Sequence, residues 1–169
     1  MDNRRAFWFG VGTLLVGGYV LFHAGLLPVP AGTDDRRSLR VTDCAGTEKV
    51  HLNAAVADSF AERYVGLSRT ESLAPGEGLL LAYDENGSKG IAMRNMDFPL
   101  GVVFVSVDGE VTGIKTLDAA DSPLSYHLLY ETMSESGRYV VETNAGWAAE
   151  RGVSVGDCVR WLSWSSRGT

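Results

Sequence analysis

The sequence predicts an α+β fold, a compact curled antiparallel sheet or small β-barrel with two short helices, preceded by one transmembrane helix. Three observations lead there. Ala6 to Leu27 contains no Lys, Arg, Asp or Glu. Beyond it, short apolar runs alternate with Asn-Gly, Asp-Gly and Gly-Asp pairs, the punctuation of strands joined by tight turns. Only SFAERYVGL and AGWAAER read as helices.

The apolar segment comes first. Its roughly 22 residues reach about 33 Å as a helix at about 1.5 Å per residue, enough to cross a hydrocarbon core of about 30 Å. Residues 1–5 form a short tail, and 6–27 read as a transmembrane helix or signal anchor. A cleaved signal peptide is the alternative, since Arg4 and Arg5 precede the segment and Val29-Pro30-Ala31 follows it. Either reading places the protein at the cell membrane or beyond. The single-pass orientation with the domain extracytoplasmic follows from the two arginines abutting the apolar core. His23 has no ionisable partner in the span, and Gly17-Gly18 permits close helix packing.

Residues 28–38, rich in Pro, Gly and charge, read as a linker. The domain is expected over 39–164, with 165–169 as a tail. A first hairpin pairs SLRVTDC with EKVHLNAAVA through Ala45-Gly46. Asp58 is expected to cap the helix in SFAERYVGL, where Phe60, Tyr64 and Leu67 share a face and Gly66 marks the end. GLLLAY and SKGIAM are expected to form a second hairpin about Asn86-Gly87. GVVFVSV, apolar throughout as a strand buried on both faces would be, turns at Asp108-Gly109 into EVTGIKTL. Asp118 to Gly137 reads as a long polar loop around Pro123, Leu128 and Leu129. RYVVET is the next strand, Asn144 the expected cap of AGWAAER, and Gly152 its end. VSVGDCVRWLSW closes the domain with a Gly-Asp turn and a strand.

The chain of 169 residues carries a formal net charge of -6, with acidic residues dispersed, which disfavours nucleic acid as a partner. Lysine occurs only at Lys49, Lys89 and Lys115, and this balance of Asp, Glu and Arg over Lys resembles proteins of salt-loving archaea. Cys44 and Cys158 stand near the two ends of the folded region. They read either as a disulfide closing a long loop or as two buried thiols, because sequence does not give the Cα separation.

Four blocks in order, ERYVGLSRTESLAPGEGLLLAY, AMRNMDFPLGVVFV, RYVVETNAGWAAERGV and VGDCV, resemble the domain of unknown function 192 (DUF192) family over about Val50 to Trp161. The resemblance implies a strand-rich α+β domain in proteins often led by a signal or anchor segment, and no established activity. Where the family usually has an aromatic pair before the methionine, this chain has Ile91 and Ala92. Where it usually has Pro-Leu-Asp, the chain has Pro99-Leu100-Gly101, so any role carried by that aspartate is absent here unless nearby Asp97 substitutes for it. Ser68 replaces the usual methionine after Gly-Leu.

No nucleophile elbow, phosphate loop, dinucleotide fingerprint or zinc-helix pattern occurs in the chain. His51 and His127, with Asp118 or Asp121, have no metal-ligand spacing, so no metal or cofactor is expected. Arg94, Asn95 and Asp97 precede Phe98-Pro99, where the chain must be extended; Arg94 offers a planar fork for an oxyanion and Asn95 both donor and acceptor. The structural reading of the same residues pairs Arg94 with Asp97 or Glu142. Asn144 and Trp147 form a second candidate, a helix start with a stacking ring, against a plain cap and core filler. Arg69 joins it if the fold brings its block close.

The expected function is a small-ligand or envelope-partner binding module on the extracytoplasmic face, rather than an enzyme. A hydrolase or lyase acting on a sugar or small envelope metabolite through Asp97, with Arg94 and Asn95, is the alternative. A purely structural role would use Trp161, Leu162 and Trp164 as an apolar patch.

Overall fold

The computed structural model describes residues 35–119 and 135–161. The apolar segment 6–27 with His23, most of the linker, the loop residues Asp121 and His127, and Leu162 and Trp164 lie outside them. The described elements are β1 (Arg36–Thr42), β2 (Glu48–Ala57), α1 (Phe60–Val65), β3 (Glu77–Lys89), β4 (Leu100–Val105), β5 (Val111–Leu117), β6 (Glu135–Asn144), α2 (Trp147–Glu150) and β7 (Cys158–Trp161).

The strands make one seven-stranded sheet in the order β5-β4-β6-β3-β2-β1-β7. It curls without closing. Its two edge strands meet only at one end, where Glu110 bridges Cys158, Val111 N–H donates to Asp157 O at 2.8 Å and Val159 N–H to Gly109 O at 2.7 Å. Side chains alternate across the pleat, so neighbouring apolar residues serve different cores. Leu39, Leu52, Leu80, Val103, Val105 and Val141 fill the inside of the curl with Val111 and Val159 from the two edges. Leu79, Leu81, Val102, Phe104 and Val140 face the other way, under Leu67, Ile91 and Met96.

The expected first hairpin forms, with Leu39 opposite Leu52, and so does the β4–β5 hairpin, with β4 buried along its whole length. Two expectations are corrected. The sheet is mixed, because β2 and β3 run parallel, connected through α1. GLLLAYDENGSK does not turn at Asn86-Gly87 but continues as one strand. It is held on one side by β2 and on the other by β6, whose register passes from Ala82↔Tyr139 to Gly87↔Gly137, so the Tyr83–Asn86 stretch bulges out instead of reversing. Pairing with β6 on either side of the bulge, at Ala82 and again from Gly87 to Lys89, outweighs the local turn preference.

The helix caps differ from expectation as well. Ser59, not Asp58, caps α1: its hydroxyl accepts from Glu62 N–H at 3.2 Å while Ser59 N–H donates to Glu62 Oε2 at 3.0 Å, a reciprocal capping box. These bonds hold the Glu62 carboxyl below its usual range. Gly66 ends the helix as expected. Asn144 does not cap α2, because β6 runs through it and Gly146, left-handed at φ 83°, takes the cap position without a side-chain bond.

Strand β4 passes β6 at a distance that only glycine permits. A Cβ on Gly101 would lie 2.8 Å from Asn144 O and 2.9 Å from Thr143 Oγ1. The departure from the Pro-Leu-Asp pattern is therefore built into this packing. Gly101→Ala is expected to destabilise by about 1–3 kcal/mol through overpacking. Chemical denaturation measures this, and an unchanged midpoint would show that the strands separate freely at this point.

Candidate functional site

Two buried carboxylates show what distinguishes a site from a scaffold here. Asp157 is buried, but Lys49 Nζ donates to its Oδ2 at 2.7 Å and Ser154 N–H donates to the same oxygen at 2.7 Å. Its charge is matched and its role is to hold the turn before β7. Glu142 is equally buried, at 5% exposure, on the β6 face between Leu79 of β3 and Val102 of β4. No described side chain or backbone group hydrogen-bonds its carboxyl. Burial alone pushes its pKa up from 4.5 to about 7.

Glu142 lines a cavity of about 200 Å³. Strand β3 supplies Leu81 and Tyr83, α1 supplies Arg63 and Tyr64, the turn after it supplies Ser68, and the loop before β4 supplies Ile91, Arg94 and Met96. The loop turns at Arg94 and Asn95, so that Arg94 and Met96 line the cavity while Asn95 and Asp97 are exposed. Asn95 sits in the left-handed region at φ 52°, a conformation asparagine tolerates better than most residues.

Both arginines are anchored by neutral groups. Arg94 Nη2 donates to Tyr64 O at 2.7 Å and to Ser68 Oγ at 3.4 Å, with its guanidinium 4.3 Å from the centre of the Tyr64 ring. Arg63 Nη1 donates to the carbonyls of Asp58 and Ala82, and the guanidinium stands 4.9 Å from the Tyr83 ring centre. Ser68, where the family usually has methionine, thus contributes a hydroxyl to the wall.

The remaining sequence candidates fall elsewhere. Arg94 does not pair with Asp97 or Glu142 as its structural reading supposed. Asn144 Nδ2 donates to Leu73 O at 3.1 Å and ties the 70–76 segment to β6. Trp147 is in the inner core at 7% exposure, so its ring offers no stacking surface. Helix α2 is a single turn and presents no extended N-terminus. Arg69 is exposed and does not line the Glu142 cavity. His51 Nε2 lies 2.7 Å from Glu48 Oε1 on the sheet surface, and no metal-competent group of three ligands occurs among the described residues. Cys44 and Cys158 are joined in a disulfide, Cα atoms 5.0 Å apart.

A second cavity, of about 270 Å³, lies by Asp35, Arg37, Asp58, Asp84, Arg138 and Trp161. Asp35 accepts from Arg37 at 2.9 Å and Arg138 Nε donates to Tyr83 O at 3.1 Å. Its charged groups are mutually engaged or exposed, and none is both deeply buried and unmatched.

The family model DUF192, described as an uncharacterised ACR, matches residues 41–161. The chain belongs to the DUF192 family. The DUF192 domain is also similar to two crystal structures. One, from Sinorhizobium meliloti 1021 and provisionally described as a transcription regulator, is 25% identical with a TM-score of 0.66, over 76% of this chain and 95% of that one. The other, a protein of unknown function from Novosphingobium aromaticivorans DSM 12444, is 26% identical with a TM-score of 0.60, over 80% of this chain and 90% of that one. No curated protein matches the chain.

Proposed function

We propose that this DUF192 domain is a non-enzymatic binding module for a small polar ligand, seated in the cavity floored by Glu142 and walled by Arg63 and Arg94. The observation that carries the reading is Glu142, a buried residue whose carboxyl lines space that a ligand can fill and has no hydrogen-bond partner among the described residues. An unmatched buried polar group costs about 1–3 kcal/mol, a cost that a donor on a bound ligand would offset. The cavity has room for about six or seven waters at liquid density, so the ligand is compact. Anchoring of the domain at the extracytoplasmic face through residues 6–27 is part of the same proposal. It is supported by the length of the uncharged run and by a disulfide suited to an oxidising compartment. The hydrolase or lyase alternative through Asp97 gains nothing from that side chain's exposed position outside the cavity lining.

The test is thermal unfolding of the full-length protein in detergent against a panel of amino acids, hydroxy acids, sugars, amines and phosphates. Binding is expected to raise Tm with ligand concentration. Ala92→Trp, which fills the cavity wall from an exposed position, is expected to abolish the rise. Flat curves across the panel, or a rise that Ala92→Trp leaves intact, would sink the assignment of this cavity.

A further inference from the structure

We infer that the ligand is a compact molecule with an oxyanion at one end and a hydrogen-bond-donating hydroxyl or ammonium group at the other, the anion held by Arg63 and Arg94 and the donor by Glu142. The inference rests on the binding reading above and adds the chemical class.

The donor follows from the floor. A carboxyl, ionised or neutral, keeps acceptor lone pairs. Among the described residues none of those pairs is used, so an apolar group placed against Glu142 would seal the deficit in and a donor would remove it. Among the described residues no wall side chain donates to Glu142; the bonds of Arg63, Arg94 and Ser68 run to other groups.

The anion follows from the walls. Each guanidinium has five N–H donors in a rigid fork. The bonds to protein use a single terminal nitrogen of each: Nη1 in Arg63 and Nη2 in Arg94. The acceptors are carbonyls and a hydroxyl, so neither positive charge is neutralised by a carboxylate among the described residues. Stacking on Tyr83 and Tyr64 fixes the planes of the two forks and leaves their edges for an incoming group. Two fixed, charge-unmatched guanidiniums on one small cavity suit a carboxylate or phosphate, which accept from arginine in bidentate fashion.

The apolar part of the lining includes Leu81, Ile91, Met96 and Leu100. The middle of the ligand is therefore a short hydrocarbon stretch, and each polar group alone would satisfy only half the site.

Isothermal titration of the full-length protein separates the contributions with three kinds of probe. Butyrate carries the anion alone, propylamine and 1-propanol the donor alone, and 4-aminobutyrate, 4-hydroxybutyrate and glycerol 3-phosphate both. The two-ended probes are expected to bind at least tenfold more tightly than any one-ended probe. Comparison of 4-hydroxybutyrate with glycerol 3-phosphate identifies the preferred oxyanion, and either order supports the inference. Glu142→Gln, which preserves shape, is expected to weaken 4-aminobutyrate at least tenfold while leaving butyrate unchanged. Arg94→Met is expected to remove the advantage of the anion, with Arg94→Lys restoring part of it; circular dichroism verifies that each variant is folded. Equal affinity for butyrate and the two-ended probes, with binding still lost in Ala92→Trp, would overturn the ligand class and leave the cavity assignment standing. No heat with any probe, together with a flat thermal panel, would overturn both.

Discussion

Removing the Cys44–Cys158 bond, by reduction or by the double replacement Cys44→Ser with Cys158→Ser, is expected to lower the stability of the domain by about 2–5 kcal/mol. The two residues are separated by 114 positions, so the open chain regains the freedom of a long loop when it unfolds. The fold adds a local reason. Strand β7 is four residues long and pairs with β1; it meets the other edge strand at the Glu110 bridge and packs Val159 and Trp161 against the sheet. The disulfide pins its first residue to the β1–β2 turn. Urea unfolding with and without reductant measures the effect as a lower midpoint. An unchanged midpoint would mean that β7 is held by its backbone pairs and the Lys49–Asp157 contact alone. Ligand binding is expected to survive reduction below the new Tm, because the Glu142 cavity lies on the opposite face of the sheet from the core that β7 seals.

Much of this architecture was legible from periodicity and turn pairs. The β4–β5 hairpin followed from an uninterrupted apolar run and Asp108-Gly109, and Gly66 and Gly152 end their helices as expected. What failed was local turn chemistry read without its neighbours. Asn86-Gly87 is a strong hairpin signal in isolation, yet β3 pairs with β6 before and after this stretch and absorbs it in a bulge. The parallel β2–β3 pairing was equally hidden, since it depends on α1 returning the chain beside β2. The shift from Asp58 to Ser59 at the first cap was within reach, because Ser59 and Glu62 carry the three-residue spacing of a capping box.

The site was legible only in part. Arg94 was found because its guanidinium precedes a rigid Phe-Pro step, and it does line the cavity. Asn95 and Asp97 were grouped with it by sequence proximity, but the chain turns at Arg94 and left-handed Asn95, which leaves Asn95 and Asp97 exposed. Glu142 was treated only as a partner for Arg94. Its signal was present: in RYVVET it is the single acid in a strand with apolar residues on both faces, and the i, i+2 rule sets it on the same face as Val140. Arg63 was not distinguishable from any charged helix residue until the fold brought it over Tyr83.

Glu142→Gln is expected to change how stability depends on pH, by up to about 3 kcal/mol across the neutral range. The carboxyl has a folded pKa of about 7 against 4.5 for the ordinary group, so the native state holds its proton more tightly than the unfolded chain. The stability it confers is fully present below pH 4.5 and is lost as pH rises from there through 7. Wild-type protein without ligand should therefore be less stable at pH 8 than at pH 5. Among the described residues Glu142 is the one carboxyl lining its cavity, where it is faced by Arg63 and Tyr64 from α1, Tyr83 from β3 and Arg94 from the loop before β4. Glu62 and Asp43, whose pKa values are lowered by hydrogen bonds, act in the opposite direction but only in acid, below this window. Glutamine keeps the shape and removes the proton, so the variant should be nearly flat between pH 5 and 8 and more stable than wild type at pH 8. Urea midpoints at half-unit pH intervals decide the matter. Parallel slopes in the two proteins would show that Glu142 does not titrate in this range, and would remove the electrostatic argument for an unmatched carboxyl. A saturating two-ended ligand should flatten the wild-type slope as the glutamine does, because a donor on the carboxylate removes the reason to hold the proton.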